Sequence, residues 1–352
     1  MKLRRSAVAT LLLLATCTED HHGNAPGLES SHAALGVVPA SEIASWTLIP
    51  PPADGLDPRS LQTAAFDETR KVLVMFGGQS DAVHGRGSVV ADALPASQYL
   101  WEWDSATGQW TNRAPAGGKA SPGPRAGASM VFDSVRNKFV IFGGRWSTGD
   151  TNWQGPNYHP YDTYQDTWEW DPATGDFTDR TSQGTPPEAR SQSSMVFEKS
   201  TGKVLLFGGA VAGSKIYGGV DGTSVDSAFA DTWEWDPTTG AWTKLTPKAA
   251  PSARYDSAMV WDSKRNRAVL FGGMEVPPAG LAGIPKQDIW EWDPATSGWT
   301  DSTTTGNKPS ARYGHGMAYD PSRGLTVLAG GFDITTGNGL ADLWEWDPTT
   351  AA

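Results

Sequence analysis

Past residue 58 the apolar positions of this chain fall in bursts of four or five, each ended by a glycine pair: VLVMFGG to Gly78, FVIFGG to Gly144, VLLFGG to Gly209, AVLFGG to Gly273 and TVLAGG to Gly331. Bursts this short, rich in β-branched and aromatic residues and closed by Gly, predict strands rather than helices. A second pattern follows each burst. Trp-Glu-Trp-Asp recurs at Trp101–Asp104, Trp168–Asp171, Trp233–Asp236, Trp290–Asp293 and Trp344–Asp347, and its alternation puts both rings on one face of a strand. Ahead of each burst stands an arginine (Arg59, Arg125, Arg190, Arg254, Arg312), at spacings of 66, 65, 64 and 58 residues. Five copies in register make an internal repeat, and the repeat sets the architecture.

Each copy divides into four predicted strands. The first follows the arginine, as in Ala128–Phe132, and a tight polar turn (DETRK, DSVRNK, EKSTGK, DSKRNR or DPSRG) leads into the apolar burst. The tryptophan string is the third strand. Asp-Pro-Ala-Thr-Gly and its variants then suit a hairpin into a fourth strand that starts at Trp110, Phe177, Trp242 or Trp299. Short strands at regular spacing with Gly-marked turns predict an all-β radial repeat, a β-propeller of five four-stranded blades. The fifth copy stops at WEWDPTTAA without a fourth strand, whereas Ser45-Trp46-Thr47-Leu48, which resembles WTNRA and WTKLT, stands unattached before the first copy. The N-terminal strand around Trp46 is therefore expected to complete the last blade and leave no open edge.

The glycine pair, the Trp some six residues before the next aromatic and the arginine on the inner strand resemble the kelch repeat over residues 46–352, similar to the repeats of the galactose oxidase central domain and of exported bacterial type. Kelch propellers usually have six or seven blades, so five is a departure. WD repeats fit less well, because their glycine–histidine mark is missing and the period here is too long. The resemblance also frames the enzymatic alternatives. Galactose oxidase uses copper beside a tyrosine cross-linked to cysteine, and no cysteine occurs in residues 46–352, so that chemistry is excluded. The Asp boxes of sialidases and the Glu-x3-Asp-x3-His iron motif of nitrile-specifier proteins are absent. Sugar epimerases of kelch type show no simple motif and stay open.

The first 17 residues read as an export signal: Lys2, Arg4 and Arg5, then the apolar Ala7–Ala15, too short to span a bilayer. Leu14-Ala15-Thr16-Cys17 resembles a bacterial lipoprotein box, which implies lipidation of Cys17, although Thr16 departs from the small residue preferred there. Ordinary secretion is the alternative. Residues 18–45 lack periodicity and read as a flexible tether. The expected localisation is periplasmic, envelope-anchored or extracellular.

Composition narrows the partners. The chain carries 28 Lys+Arg against 39 Asp+Glu, a net charge of −11, which becomes −14 once residues 1–16 and their three positive charges are removed. Such a charge repels phosphate backbones and anionic headgroups, so nucleic acid is not expected and a membrane only through the lipid anchor. One cysteine in 352 residues excludes internal disulfides and thiolate zinc sites. No metal or other cofactor is expected, and the protein is taken as a monomer.

Candidate chemistry lies on one face. The links between second and third strands, residues 79–100, 145–167, 210–232, 274–289 and 332–343, are long and unequal, while the opposite face has minimal turns. Of 17 Trp residues, Trp146 and Trp153 alone fall outside the repeat, both in the second link with Tyr158, His159, Tyr161, Asp150 and Asp162. Rings beside carboxylates suit a sugar or a peptide; the alternative is that the rings pack the loop onto its blade. The inner arginines are expected to pair with Asp166, Asp231, Asp288 and Asp342, with Tyr99 replacing the Asp in the first copy, and His315 is expected to be structural. His84 and His159 could meet at a metal, a weaker reading. These features together predict a non-catalytic exported protein that binds glycan or protein on the long-loop face. The alternatives are a carbohydrate-active, epimerase-like enzyme acting through Asp150 or Asp162 on that face, and a scaffold that holds a partner with several loops.

Overall fold

The computed structural model describes residues 59–80, 99–115, 119–147, 161–181, 184–212, 225–276, 283–333, 336 and 338–349. The expected signal, the tether and the strand around Trp46 lie outside the described residues. Within them the chain forms a five-bladed β-propeller of antiparallel sheets. Blade one is Arg59–Asp67, Val72–Ser80, Leu100–Asp104 and Gln109–Asn112, in that order outward from the axis. Blade two begins at Ser129–Asp133, blade three at Ser194–Glu198 and blade four at Ala258–Asp262, each with four strands. Blade five shows three described strands, Gly316–Asp320, Leu325–Ala329 and Leu343–Trp346. The strand expected to close blade five falls on residues outside the described ones, and among the described residues Leu343–Trp346 is the outermost strand of that blade.

The core lies between blades, because each sheet is apolar on both faces. Phe132, Phe139 and Trp170 of blade two meet Val74 and Phe76 of blade one in one cluster, and three similar clusters join blades two to three, three to four and four to five. Each second-strand burst is buried on both sides, which is why it reads as a continuous apolar run.

Glycine pairs join the blades. Both residues of every pair hold positive φ, for example 64° and 99° at Gly143 and Gly144. The N–H groups of Gly78, Gly144, Gly209 and Gly273 each donate to the carbonyl of the next blade's arginine at 2.9 Å. A Cβ at Gly77, Gly143, Gly208 or Gly272 would fall inside 3.0 Å of that same carbonyl. Nearer the axis, a second series of backbone bonds runs from blade to blade: Gly127 N–H to Leu61, Gln192 to Gly127, Asp256 to Gln192 and Gly314 to Asp256.

The opposite face is held by its own ions. Asp67, Asp133, Asp262 and Asp320 accept from two backbone N–H groups of the following turn and from the Nε of Arg70, Arg136, Arg265 and Arg323. The same guanidinium reaches the Glu of the tryptophan string, Glu102, Glu169, Glu291 or Glu345, and so fastens the first hairpin to the third strand. Blade three departs from this scheme. Glu198 replaces the Asp and Thr201 replaces the Arg, and the buried carboxyl accepts from Thr201 Oγ1 at 2.8 Å and from Trp292 Nε1 of blade four at 2.7 Å. Burial pushes Glu198 up to about 7, with Glu234 adding to the effect and the two hydrogen bonds only partly opposing it.

Two outcomes follow for stability. Gly175 also has positive φ, at 74°, but nothing lies within 4 Å of its would-be Cβ. Gly175→Ala should therefore cost about 1–2 kcal/mol from backbone strain, and Gly143→Ala at least twice that, in chemical denaturation. Glu198 ionises near 4.5 when unfolded but near 7 when folded, so the fold loses stability as pH rises through that interval, by about 3 kcal/mol in total. Glu198→Gln should match the parent near pH 4 and exceed it at pH 8 in melts across pH.

Candidate functional site

On the long-loop face blades two to five build the same buried clamp. Arg125 donates from Nη1 to Asp166 Oδ1 at 2.6 Å, from Nη2 to Oδ2 at 3.0 Å, and from Nη1 to the carbonyl of Gly143 at 2.9 Å. Trp168 Nε1 donates to the same Asp166 at 2.8 Å. Arg190–Asp231–Trp233, Arg254–Asp288–Trp290 and Arg312–Asp342–Trp344 repeat this arrangement. Burial opposes ionisation of Asp231 and Asp288, but the paired guanidinium outweighs it and holds both carboxyls below their ordinary range. The expected Arg–Asp pairing is therefore present in four blades, and blade one has Tyr99 at the Asp position. Arg59 instead donates to the carbonyl of Gly77 at 3.4 Å.

From these clamps the long links rise as two-stranded ribbons. Arg145–Ser147 pairs with Tyr161–Thr163, Ala210–Ala212 with Val225–Ala228, Met274–Glu275 with Ile284–Pro285, and Phe332–Asp333 with Asn338–Gly339. Each ribbon is tied to its blade by an isolated bridge, such as Ala126 to Arg145 and Ser191 to Ala210. The bases of these long, unequal links are ordered β-structure.

The structure brings part of the expected site together. Trp146 lies directly opposite Asp162 on the ribbon of blade two, next to Tyr161, with Trp146 half-buried and Asp162 exposed. Asp150, Trp153, Tyr158 and His159 lie outside the described residues, as do His84 and Cys17. Tyr164 takes the packing role: its ring covers the Arg125 guanidinium at 4.1 Å, just as Phe229 covers Arg190 at 3.8 Å. Among the described residues no group of three His, Cys, Asp or Glu is placed to hold a metal ion.

Sequence reasoning missed a polar chain at the mouth of the axis. Arg145 Nη1 approaches Gln192 Oε1 at 3.5 Å, and Gln192 Nε2 donates to Asp256 Oδ2 at 2.7 Å, linking blades two, three and four. Gln192 and Asp256 hold φ of 56° and 53°, at the position where blade two has Gly127. The sequence carries no repeated signal for this chain, because Arg145, Gln192 and Asp256 each occur at their position in one copy only, with Gly127 and Gly314 in blades two and five where blades three and four have Gln192 and Asp256. His315 stands where blades three and four have Ser193 and Ser257, whose oxygens bond Ser129 and Ser194. Its ring is buried edge-on to Phe271, 5.5 Å between centroids, with no well-formed hydrogen bond at either nitrogen among the described residues. Burial, with Arg312 adding to it, lowers its pKa to about 3 against a marginal contact with the Phe271 backbone. His315 is thus a neutral structural ring.

With this geometry in place, comparison with known proteins is informative. A family model described as "KLHDC2/KLHL20/DRC7 Kelch-repeats domain" matches residues 149–352. The chain is 30% identical over 144 residues to Mei4-dependent protein 6 of Schizosaccharomyces pombe, covering 38% of this chain and 18% of that protein. It is likewise 30% identical over 155 residues to serine/threonine-protein phosphatase BSL2 of Arabidopsis thaliana, covering 41% of this chain and 14% of that protein. The match therefore spans less than a fifth of either relative.

His315 is neutral in the fold down to about pH 3 but takes a proton near 6.5 when unfolded. Its contribution is full above 6.5 and falls by about 1.4 kcal/mol for each pH unit below that value. His315→Ser should lower stability at pH 7, through the void left against Phe271, and flatten the acid limb of the melting profile relative to the parent.

Proposed function

The chain belongs to the kelch-repeat family, and on that premise we propose that it is an exported, non-catalytic binding protein that offers the long-loop face of its propeller to a protein partner, with glycan as the second ligand class. The observation that carries this reading is the inequality of the two faces. One is closed by four-residue turns such as 134–137 and 263–266, whose neighbouring Asp and Arg side chains are already paired with each other. The other raises ribbons of unequal length on buried clamps, which is how a rigid scaffold presents variable contacts. Trp146 gives that face an aromatic of the kind enriched at interface centres, and Asp162 opposite it supplies a polar group of the kind found at the rim. The basic and apolar start of the chain supports export, and Cys17 at the end of that stretch supports a lipid anchor.

Trp146→Ala combined with Asp162→Ala, both on an ordered ribbon, should weaken capture of a partner from a cell-envelope fraction by about tenfold or more, with Tm unchanged. Undiminished capture would remove this loop from the interface. A glycan array probed in parallel assigns the ligand class, and sugar turnover abolished by Asp162→Asn would replace the binding role with a catalytic one.

A further inference from the structure

Where the axis opens on the long-loop face, each blade places one residue with positive φ: Leu61 at 57°, Gly127 at 62°, Gln192 at 56°, Asp256 at 53° and Gly314 at 63°. These are the residues joined from blade to blade by the inner series of backbone bonds. Glycine holds such a backbone without strain, and blades two and five use it. Leucine, glutamine and aspartate hold it at a cost, because the Cβ crowds the following carbonyl. A cost that the backbone itself does not demand points to the side chains.

Consecutive side chains of this ring are neighbours. Gln192 Cγ lies 3.1 Å from where a Cβ at Gly127 would stand, and Gln192 Nε2 donates to Asp256 Oδ2 at 2.7 Å. The place after Asp256 belongs to Gly314, which is exposed and has no side chain. Among the described residues a Cβ there would meet only Phe332 Cδ2, at 3.7 Å. Phe332 comes from the blade-five ribbon, and its ring lies 5.9 Å from that of Tyr313. Leu61 is the next member of the ring. Beside the half-exposed carboxylate of Asp256 there is thus an opening bordered by a phenyl ring and an aliphatic residue.

We propose, on the reading of the long-loop face as the binding face, that this opening receives a basic side chain of a protein partner. The charged end of a lysine or arginine meets Asp256, and its stem lies along Phe332 and Leu61. Long basic side chains suit such a place, since their stems cover apolar surface while the head stays in a polar setting, and a phenyl ring attracts the same charge. An ionised carboxylate accepts at about four positions, so it can hold a basic group as well as Gln192. The basic groups of blades four and five are committed elsewhere: Arg254 to Asp288, Arg312 to Asp342 and Lys286 to Glu275. Arg145 lies beyond Gln192. The net charge of −11 draws a basic partner in from a distance.

The test presents the full-length protein to an array of basic peptides, each printed twice, with lysine free or acetylated and arginine intact or replaced by citrulline. Binding should require the charge, and Asp256→Asn should weaken it by about tenfold or more. Asparagine tolerates the left-handed backbone as aspartate does and still accepts from Gln192, so this variant should keep its fold, which its Tm checks. Gly314→Asn puts a side chain into the opening and should weaken binding as strongly with Asp256 in place. One charge out of a net −11 is too little to alter a general attraction tenfold, so that loss locates the site. Basic peptides held equally by Asp256→Asn, or no peptide held for its charge, overturns the proposal. The variant with Trp146→Ala and Asp162→Ala, on the same array, separates this site from the face that carries it. Binding lost there but kept by Asp256→Asn removes the axial site and leaves the face, whereas binding kept by all three variants removes both.

Discussion

A guanidinium held between a carboxylate and a glycine carbonyl is the interaction on which this propeller depends. Arg190 bonds Asp231 through both nitrogens and the Gly208 carbonyl through one, while its own main-chain carbonyl accepts from Gly144 of the blade before. One residue therefore fixes the third strand of its own blade, the end of the second strand, and the spacing to its neighbour. Buried ion pairs of this kind contribute little net stability, since desolvation offsets most of the attraction, but losing one partner costs about 3–5 kcal/mol. What the clamp supplies is geometry. It sets where a strand stops and at what distance the next sheet stands, a task that apolar packing alone would leave loose.

The two departures from the repeat explain how the molecule's acid–base behaviour arises. Where Arg70, Arg136, Arg265 and Arg323 neutralise a buried Asp, blade three has Thr201, and Glu198 is left to the tryptophan of the next blade. Where two blades have a serine, blade five has His315 against a phenyl ring. The first substitution favours acid, because a proton resolves the burial of a carboxylate; the second favours base, because a proton cannot be accommodated. Stability is thus bounded from both sides by two residues that each stand in for a small or neutralised one.

Most of the fold was legible because its causes are local and repeated. Strand two reads as apolar because it is buried on both faces, and Trp-Glu-Trp-Asp alternates because its rings and its carboxylate serve opposite sides. Even the Arg–Asp pairing was accessible, since both partners recur in every copy but the first. The candidate site was legible only in part, for the opposite reason. Trp146 and Asp162 stood out by falling outside the repeat, and they do face each other. Tyr164, from the same link, is instead a lid on Arg125. The Arg145–Gln192–Asp256 chain left no trace in the sequence, because it is assembled from unlike residues of three blades. A repeat announces what is the same in every blade; contacts that a blade makes once have no pattern to announce them.

The ribbons on the long-loop face are each tied down at their base by the glycine pair and an isolated bridge, and the Arg, Asp and Trp residues of the four clamps lie outside the ribbons. A link can therefore lengthen, shorten or change composition while the blade beneath keeps its register. In evolutionary terms the protein separates its frame from its vocabulary. Selection can rewrite one loop at a time without altering the clamp residues beneath it.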